Sequence, residues 1–151
     1  MELIYHNDKT LRDDPVSLDC VLRCINLAGE ATDKALAMSG TSVQTDGRWT
    51  KEEVLSKENS YLVLRENADT PIGAMMVAVI DGVFHVKSFA ILEKYQRMGY
   101  GKKMMQMAMD YAREKGCSEA RLGCAINNSN AASLYRACGF KPFTMFMFRK
   151  V

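Results

Sequence analysis

Residues 72–91 constrain this chain more than any other stretch. Ile72–Ile80 is apolar throughout, Asp81-Gly82 follows, and Val83–Ile91 is again rich in β-branched and aromatic residues. Asp-Gly between two such runs is a strong signal for a tight hairpin, because both residues tolerate the positive φ that the turn needs. A run apolar on both faces belongs inside a sheet rather than at its rim. Directly downstream, Gln96-Arg97-Met98-Gly99-Tyr100-Gly101-Lys102 leads into a helical pattern over Gly99–Lys115. Gly101, Met104, Met105, Ala108 and Ala112 share one face of that helix, and Lys102, Lys103, Gln106, Asp110 and Arg113 lie largely opposite. A buried hairpin followed by a glycine loop and an amphipathic helix implies a mixed sheet with a right-handed parallel crossover.

The remaining elements follow from local signals. Leu3–Tyr5 reads as a first strand, and Asp14-Pro15 as an N-cap with proline at the first helical position. Leu18, Val21, Leu22, Ile25 and Ala28 continue at helical spacing, and Gly29 is expected to stop that helix before a second one over Ala31–Met38. Thr50-Lys51-Glu52-Glu53 fits a capping box. Tyr61–Arg65 and Ala120–Ala125 read as strands, Ser129–Cys138 as a helix, and Phe143–Lys150 as a final strand. The expected order is βααβββαβαβ, an α/β (α+β) fold with a mixed, mostly antiparallel sheet and helices on both faces.

Composition removes whole classes. The chain has 151 residues, 48% hydrophobic and 25% charged, with a net charge of +2. That is the balance of one globular domain and not of a disordered chain. The longest clean apolar run is half of what a membrane span needs, about 20 residues, and Glu2, His6, Asp8 and Lys9 interrupt any leader-like start. Neither a membrane nor a nucleic-acid partner is expected. Cys20, Cys24, Cys117, Cys124 and Cys138 form no CxxC pair and have no histidine placed to complete a metal site. Reduced thiols in a cytoplasmic protein are expected, and no metal.

The glycine loop lies between a strand and a helix. Glycines there allow close approach of a ligand, and free N–H groups at a helix start attract phosphate. Met104 occupies the third glycine position of a dinucleotide fingerprint, and no Lys-Ser/Thr pair follows as in a Walker A loop. A second motif sits one helix and one strand later. Asn128-Ser129-Asn130-Ala131-Ala132-Ser133-Leu134-Tyr135-Arg136-Ala137-Cys138-Gly139-Phe140 has the pattern N-x-x-A-x-x-L-Y-x-x-x-G-F. With Gln96-x-x-Gly99-x-Gly101 at this spacing, the chain resembles the GNAT superfamily of N-acetyltransferases. The likeness is sharp from about Val83 onward and indistinct before Tyr61.

That resemblance implies a GNAT-like acyl-CoA N-acyltransferase fold with a site for acetyl-CoA (coenzyme A). It implies that Gln96, Arg97, Met98, Gly99, Tyr100, Gly101 and Lys102 hold the pyrophosphate, chiefly through backbone N–H groups. It further implies that Phe89, Ala90 and Ile91 bind the pantetheine arm on a strand splayed from its parallel neighbour. One of their N–H groups would polarise the thioester carbonyl. Tyr135 matches the tyrosine that protonates the leaving thiolate, and Asn128 matches a residue that touches the cofactor or caps its helix. His85 stands where family members often place a glutamate base; a water chain is the alternative. By a period of two, His85 is expected to share a strand face with Lys87, Phe89 and Ile91. Glu93 and Arg97 depart from the family's usual Pro and Gly.

The acceptor, a small-molecule amine or a protein amine, is expected to bind within about Asp14–Glu58. Trp49 could line that region or anchor a helix start, and Asp46, Glu52 and Glu53 could meet a cation or simply face solvent. Residues 1–60 hold 7 Lys+Arg against 11 Asp+Glu, and residues 61–151 hold 13 against 7. The cofactor half is therefore basic and the acceptor half acidic, which favours a cationic amine. Phe143, Phe146 and Phe148 suit either core packing or a dimer edge, so a monomer or a homodimer is expected.

Overall fold

A computed structural model describes residues 1–151. Asp81 and Gly82 both take positive φ, 51° and 76°, as the hairpin reading requires. They join β3 (Pro71–Ile80) to β4 (Val83–Ile91), the central pair of a five-stranded sheet ordered β1-β2-β3-β4-β5. β1 (Glu2–His6) pairs antiparallel with β2 (Ser60–Arg65), and β2 with β3. β5 (Glu119–Leu122) pairs parallel with β4 and forms the sheet edge.

Helices cover both faces, as expected. α4 (Tyr100–Glu114) buries Met104, Met105, Ala108 and Ala112, the stripe read from the sequence, against Leu62, Leu64, Met75, Phe84 and Val86. On the other face α1 (Asp8–Arg12) and α2 (Pro15–Met38) bring Leu11, Leu18, Val21, Cys24 and Ile25 onto Tyr61, Val63, Ala74 and Met76. Asp14 caps α2 by accepting from Ser17 N at 3.0 Å, with Pro15 at the first helical position. Thr50 and Glu53 form the capping box of α3 (Lys51–Val54), and Trp49 packs against the α2-side core. No helix is long and apolar enough to cross a membrane. All five cysteines are free.

Three expectations need correction. α2 does not stop at Gly29; it runs unbroken for 24 residues. A mid-helix glycine costs about 1 kcal/mol, and the packing of Val21 and Ile25 on the sheet before it, with the burial of Ala35 after it, outweighs that cost. Next, α1 and a 3-10 turn at Glu93–Tyr95 are additional elements. α1 is nucleated by a capping box between Asn7 and Thr10, which lacks the usual Ser/Thr…Glu/Gln lettering. Lastly, Phe143–Lys150 is not a strand. Residues 141–151 carry no regular structure, and Phe143, Phe146 and Phe148 are exposed rather than in the core. Strand-forming residues need a ladder partner, and nothing pairs with the outer edge of β5.

Candidate active site

The site begins where β4 leaves β5. Their parallel pairing covers only Val83–Val86 against Glu119–Leu122. β4 runs on to Ile91, held on its other side by β3 through Ser88–Ile91 opposite Met76–Gly73. On the β5 side, the backbone edge of Lys87–Ile91 thus has no strand partner. Phe89, Ala90 and Ile91 all lie along it.

A β-bulge marks the divergence. Val77 pairs with Val86 and Met76 with Ser88, which leaves Lys87 unopposed. The extra residue reverses the alternation of side chains. Phe84 and Val86 precede it on the α4 face, and Phe89 and Ile91 follow it on that same face, while Ala90 packs toward α2. His85 therefore does not share a face with Phe89 and Ile91; it lies on the α2 side with Ser88 and Ala90. The period-of-two count failed because it assumed an unbroken pleat. In the ladder His85 stands between Ala78 and Arg121, half-buried, with no hydrogen bond or ion pair. Arg121 turns instead to Glu119.

β4 is tied off by two bonds. Leu92 N donates to Ile72 O at 2.8 Å, and Gln96 Nε2 donates to Ile91 O at 2.9 Å. The Gln96 side chain thus fastens the loop to the strand end. Glu93, where the family favours proline, pairs with Arg23 of α2 at 2.8 Å and is held below the usual carboxylate range by that guanidinium. Arg97 and Gly99 both adopt left-handed φ, 63° and 83°, with Met98 between them. Alternating left-handed residues turn successive N–H groups toward one point, a nest suited to an anion. Gly99 is the N-cap of α4 and supplies no side-chain acceptor. The first such bond comes from Lys103 N to Gly99 O at 3.2 Å, so the N–H groups of Arg97 through Lys102 have no partner within the protein. Their position at a helix start adds partial positive charge. This donor set fits a pyrophosphate.

Gly101 has a packing task beside its free N–H group. A Cβ there would come 3.2 Å from Leu134 Cδ2 and 3.8 Å from the Phe89 ring. The missing side chain lets α5 (Ser129–Ala137) approach α4 and β4. α5 carries Tyr135, which packs against the α4-side core and stacks edge-on with Phe140 at 6.1 Å. Burial, with Cys124 and Cys138 adding to it, pushes the phenol up to about 12. Its hydroxyl bonds to no protein group and stays protonated at neutral pH. Asn128 is the N-cap of α5 by position, but its side chain makes no capping bond and is free to meet a ligand. Neighbouring Asn127 donates to Ser39 Oγ at 2.7 Å, tying the α5 loop to the end of α2. No motif announced that bond, which joins residues 88 positions apart.

In the expected acceptor region, Asn26 holds both backbone groups of Trp49, and Asp33 accepts from Thr45 N and Thr45 Oγ1. Residues 39–50 are thereby stapled along α2. Asp46 and Glu52 face solvent, and Glu53 is spent on its capping box. A cleft of about 340 Å³ is lined by Val16, Asp19, Cys20, Pro71 and Leu92 and includes neither the glycine loop nor Tyr135. No group of three or more His, Cys, Asp or Glu side chains is arranged to hold a metal ion.

Comparison with known proteins gives the family and the fold. The acetyltransferase (GNAT) family pattern matches residues 30–140. An N-alpha-acetyltransferase of Sulfurisphaera tokodaii is 40% identical over 58 residues, 38% of this chain and 35% of that protein. The chloroplastic GCN5-related N-acetyltransferase 4 of Arabidopsis thaliana is 33% identical over 60 residues, 40% of this chain and 21% of that protein. These matches thus span about a third or less of the curated relatives. Among solved structures, an acetyltransferase from Bacillus subtilis, YycN, superimposes with a TM-score of 0.70 at 17% identity, covering 99% of both chains. An aminoglycoside N-acetyltransferase, AAC(6')-Iy, solved in complex with CoA, gives 0.58 at 16% identity over 99% of this chain and 98% of that one. The chain belongs to the acetyltransferase (GNAT) family.

Proposed function

We propose that residues 1–151 form one cytoplasmic N-acetyltransferase domain. It transfers an acetyl group from acetyl-CoA to a primary amine of a small molecule or protein, by direct attack in a ternary complex. The observation that carries this reading is the departure of β4 from β5 after Val86, ending in a loop whose N–H groups from Arg97 to Lys102 are unpaired. The aminoglycoside enzyme solved with CoA shares this fold and supports it. Acetyl-CoA supplies the activated acyl group as a thioester.

The protein's own groups act on that thioester in order. The nest from Arg97 to Lys102 binds the pyrophosphate, and the free edge of Phe89–Ile91 holds the extended arm as a strand would be held. A backbone N–H on that edge donates to the carbonyl oxygen as negative charge grows there, the oxyanion form of stabilisation. The acceptor nitrogen forms the new C–N bond, its proton passing to His85 or to a water chain on the α2 side. The C–S bond breaks, and Tyr135 donates its hydroxyl proton toward the departing sulfur. With a pKa pushed to about 12, the phenol is a permanently protonated donor rather than a strong acid. It gives up its proton as the C–S bond breaks and regains one from the proton released by the amine, relayed through His85 or the water chain and solvent.

A second reading is a catalytically weak acyl-CoA-binding module. His85 favours it, because no neighbouring group orients the imidazole as a base. Calorimetry with acetyl-CoA, followed by thiol-release assays over a panel of small amines and N-terminal peptides, separates the two. Binding with turnover supports the enzyme. Binding without turnover on any amine supports the module, and no binding overturns both.

A further inference from the structure

α2 turns Cys20 and Cys24, about one helical turn apart, into the core between itself and the sheet. Their Sγ atoms stand 4.0 Å apart, and the two residues are 3% and 1% exposed. Neither thiol belongs to the glycine loop, the open edge of β4 or the Tyr135 side chain's surroundings. The pair is nonetheless within reach of solvent. Cys20 forms part of the wall of the cleft of about 340 Å³, beside Val16, Asp19, Pro71 and Leu92. A small ion in that cleft meets the first sulfur without any unfolding of α2.

We propose that Cys20 and Cys24 form a two-coordinate site for a soft monovalent cation, copper(I), held between the two sulfurs. The spacing favours a bridging ion over a direct bond. A disulfide requires the sulfurs to close from 4.0 Å to about 2.05 Å within one helix. Two metal–thiolate bonds of about 2.3 Å laid end to end span about 4.6 Å, so a bent S–Cu–S unit fits the spacing with the helix unchanged.

The donor set selects the metal. Structural zinc takes four ligands, and calcium and magnesium take six or more oxygens. No third His, Cys, Asp or Glu joins the two thiols in a metal-binding group. Asp19, at the cleft, is exposed and pairs with Lys51 at 3.3 Å. Thiolate is a soft ligand that selects copper(I), and two such donors satisfy that ion. The surroundings also suit the charge. The bond with Cys20, and then burial, holds the Cys24 thiol well above its usual range, while a bond from the Ala74 backbone and the Arg23 guanidinium favour the thiolate. Two thiolates and one Cu⁺ leave a single negative charge beside Arg23. Loading sends two S–H protons to water with no change in oxidation state, and it tightens as pH rises. An ion that bridges the pair in the folded chain also raises stability by mass action.

Anaerobic titration of the reduced full chain with copper(I), in competition with a chromophoric copper(I) chelator, tests this. One tight equivalent per chain is expected, together with a higher urea midpoint. Cys20→Ala, at the cleft wall, and Cys24→Ala, inside it, should each weaken that equivalent about a hundredfold or more, because the remaining thiol then binds without its chelate partner. Alanine suits a helix, so circular dichroism of both variants should match the wild type. Cys117, Cys124 and Cys138 are the other free thiols, and all three are more exposed. Replacing those three together with alanine should keep the affinity of the equivalent within about twofold, as for independent sites. Absence of a tight equivalent overturns the proposal. So does an equivalent that survives both Cys20→Ala and Cys24→Ala, or one that is lost when only Cys117, Cys124 and Cys138 are replaced.

Discussion

Gln96 and Ile91 are joined by a 2.9 Å hydrogen bond from the side-chain amide to the strand's last carbonyl. One bond thereby fixes the angle between the unpaired edge of β4 and the N–H nest that follows. Removing it leaves the Ile91 carbonyl without that donor and lets the loop turn independently of the strand. Gln96→Ala is expected to raise KM for acetyl-CoA about three- to tenfold, the worth of one hydrogen bond of roughly 0.5–1.5 kcal/mol. KM for the amine should stay within about twofold, because the Gln96 side chain bonds only the end of β4. Steady-state kinetics with each substrate varied in turn checks this; an equal rise in both constants would contradict it.

Gly101 gives a prediction graded by size. Its neighbour at 3.2 Å is the end of the flexible Leu134 side chain, not backbone. Alanine can be admitted by a small rotation of Leu134 and gains up to about 1 kcal/mol of helix propensity. Gly101→Ala should therefore leave stability within about 1 kcal/mol. Gly101→Val cannot be admitted without moving α5, and should cost about 1–3 kcal/mol as overpacking does. Because α5 carries Tyr135, the valine variant should also lose turnover. Urea denaturation and thiol-release assays on the same preparations read both effects.

The hairpin, the α4 stripe, the Asp14 and Thr50 caps and both motifs were legible because each is written within about ten residues. His85 was misplaced because a β-bulge at Lys87 has no composition of its own; Lys87 became the unopposed residue through the register that β3 imposes. Gly29 misled for a related reason. Helix propensity is a local quantity, and the packing of α2 on the sheet is not. The Asn127–Ser39 and Asn26–Trp49 bonds join segments far apart in the chain, so nothing in either segment marks them. Phe143–Lys150 has the composition of a strand and forms none. A strand is a relationship between two segments, and this one has no partner.

Tyr135 makes a prediction about pH as well as rate. Tyr135→Phe should lower kcat about a hundredfold, the lower range for losing a positioned proton donor, and leave calorimetric affinity for acetyl-CoA nearly unchanged. Since the phenol titrates near 12, it stays protonated across the working range. No fall in kcat should therefore come from Tyr135 below about pH 10, and any basic limb seen there should persist in the phenylalanine variant. Profiles of kcat from pH 6 to 10 for both proteins test this. Loss of a basic limb on substitution would show that the hydroxyl ionises lower than its burial implies.

His6 yields the clearest stability prediction, far from the chemistry. The imidazole is buried at the end of β1, with Nδ1 3.2 Å from Thr10 Oγ1. Its Nε2 has no hydrogen-bond partner and lies 3.6 Å from Asp14 Oδ2. Arg65 also faces the pair and bonds Glu2 in turn. Burial, the largest influence, holds His6 below its usual 6.5; Asp14 opposes this and Arg65 reinforces it. The folded state then binds the proton less readily than the unfolded chain. Stability from this group is fully present above about 6.5 and is lost as pH falls through that value toward the lowered folded pKa. Asp14, whose own pKa is depressed by its bonds from Ser17 despite burial, adds a second loss at lower pH, beginning near its unfolded value of 3.8. His6→Gln removes the first titration and keeps a polar group near Thr10. Its urea midpoint should vary less than the wild type's between pH 7 and 5, and equal slopes for the two proteins would place the proton uptake elsewhere.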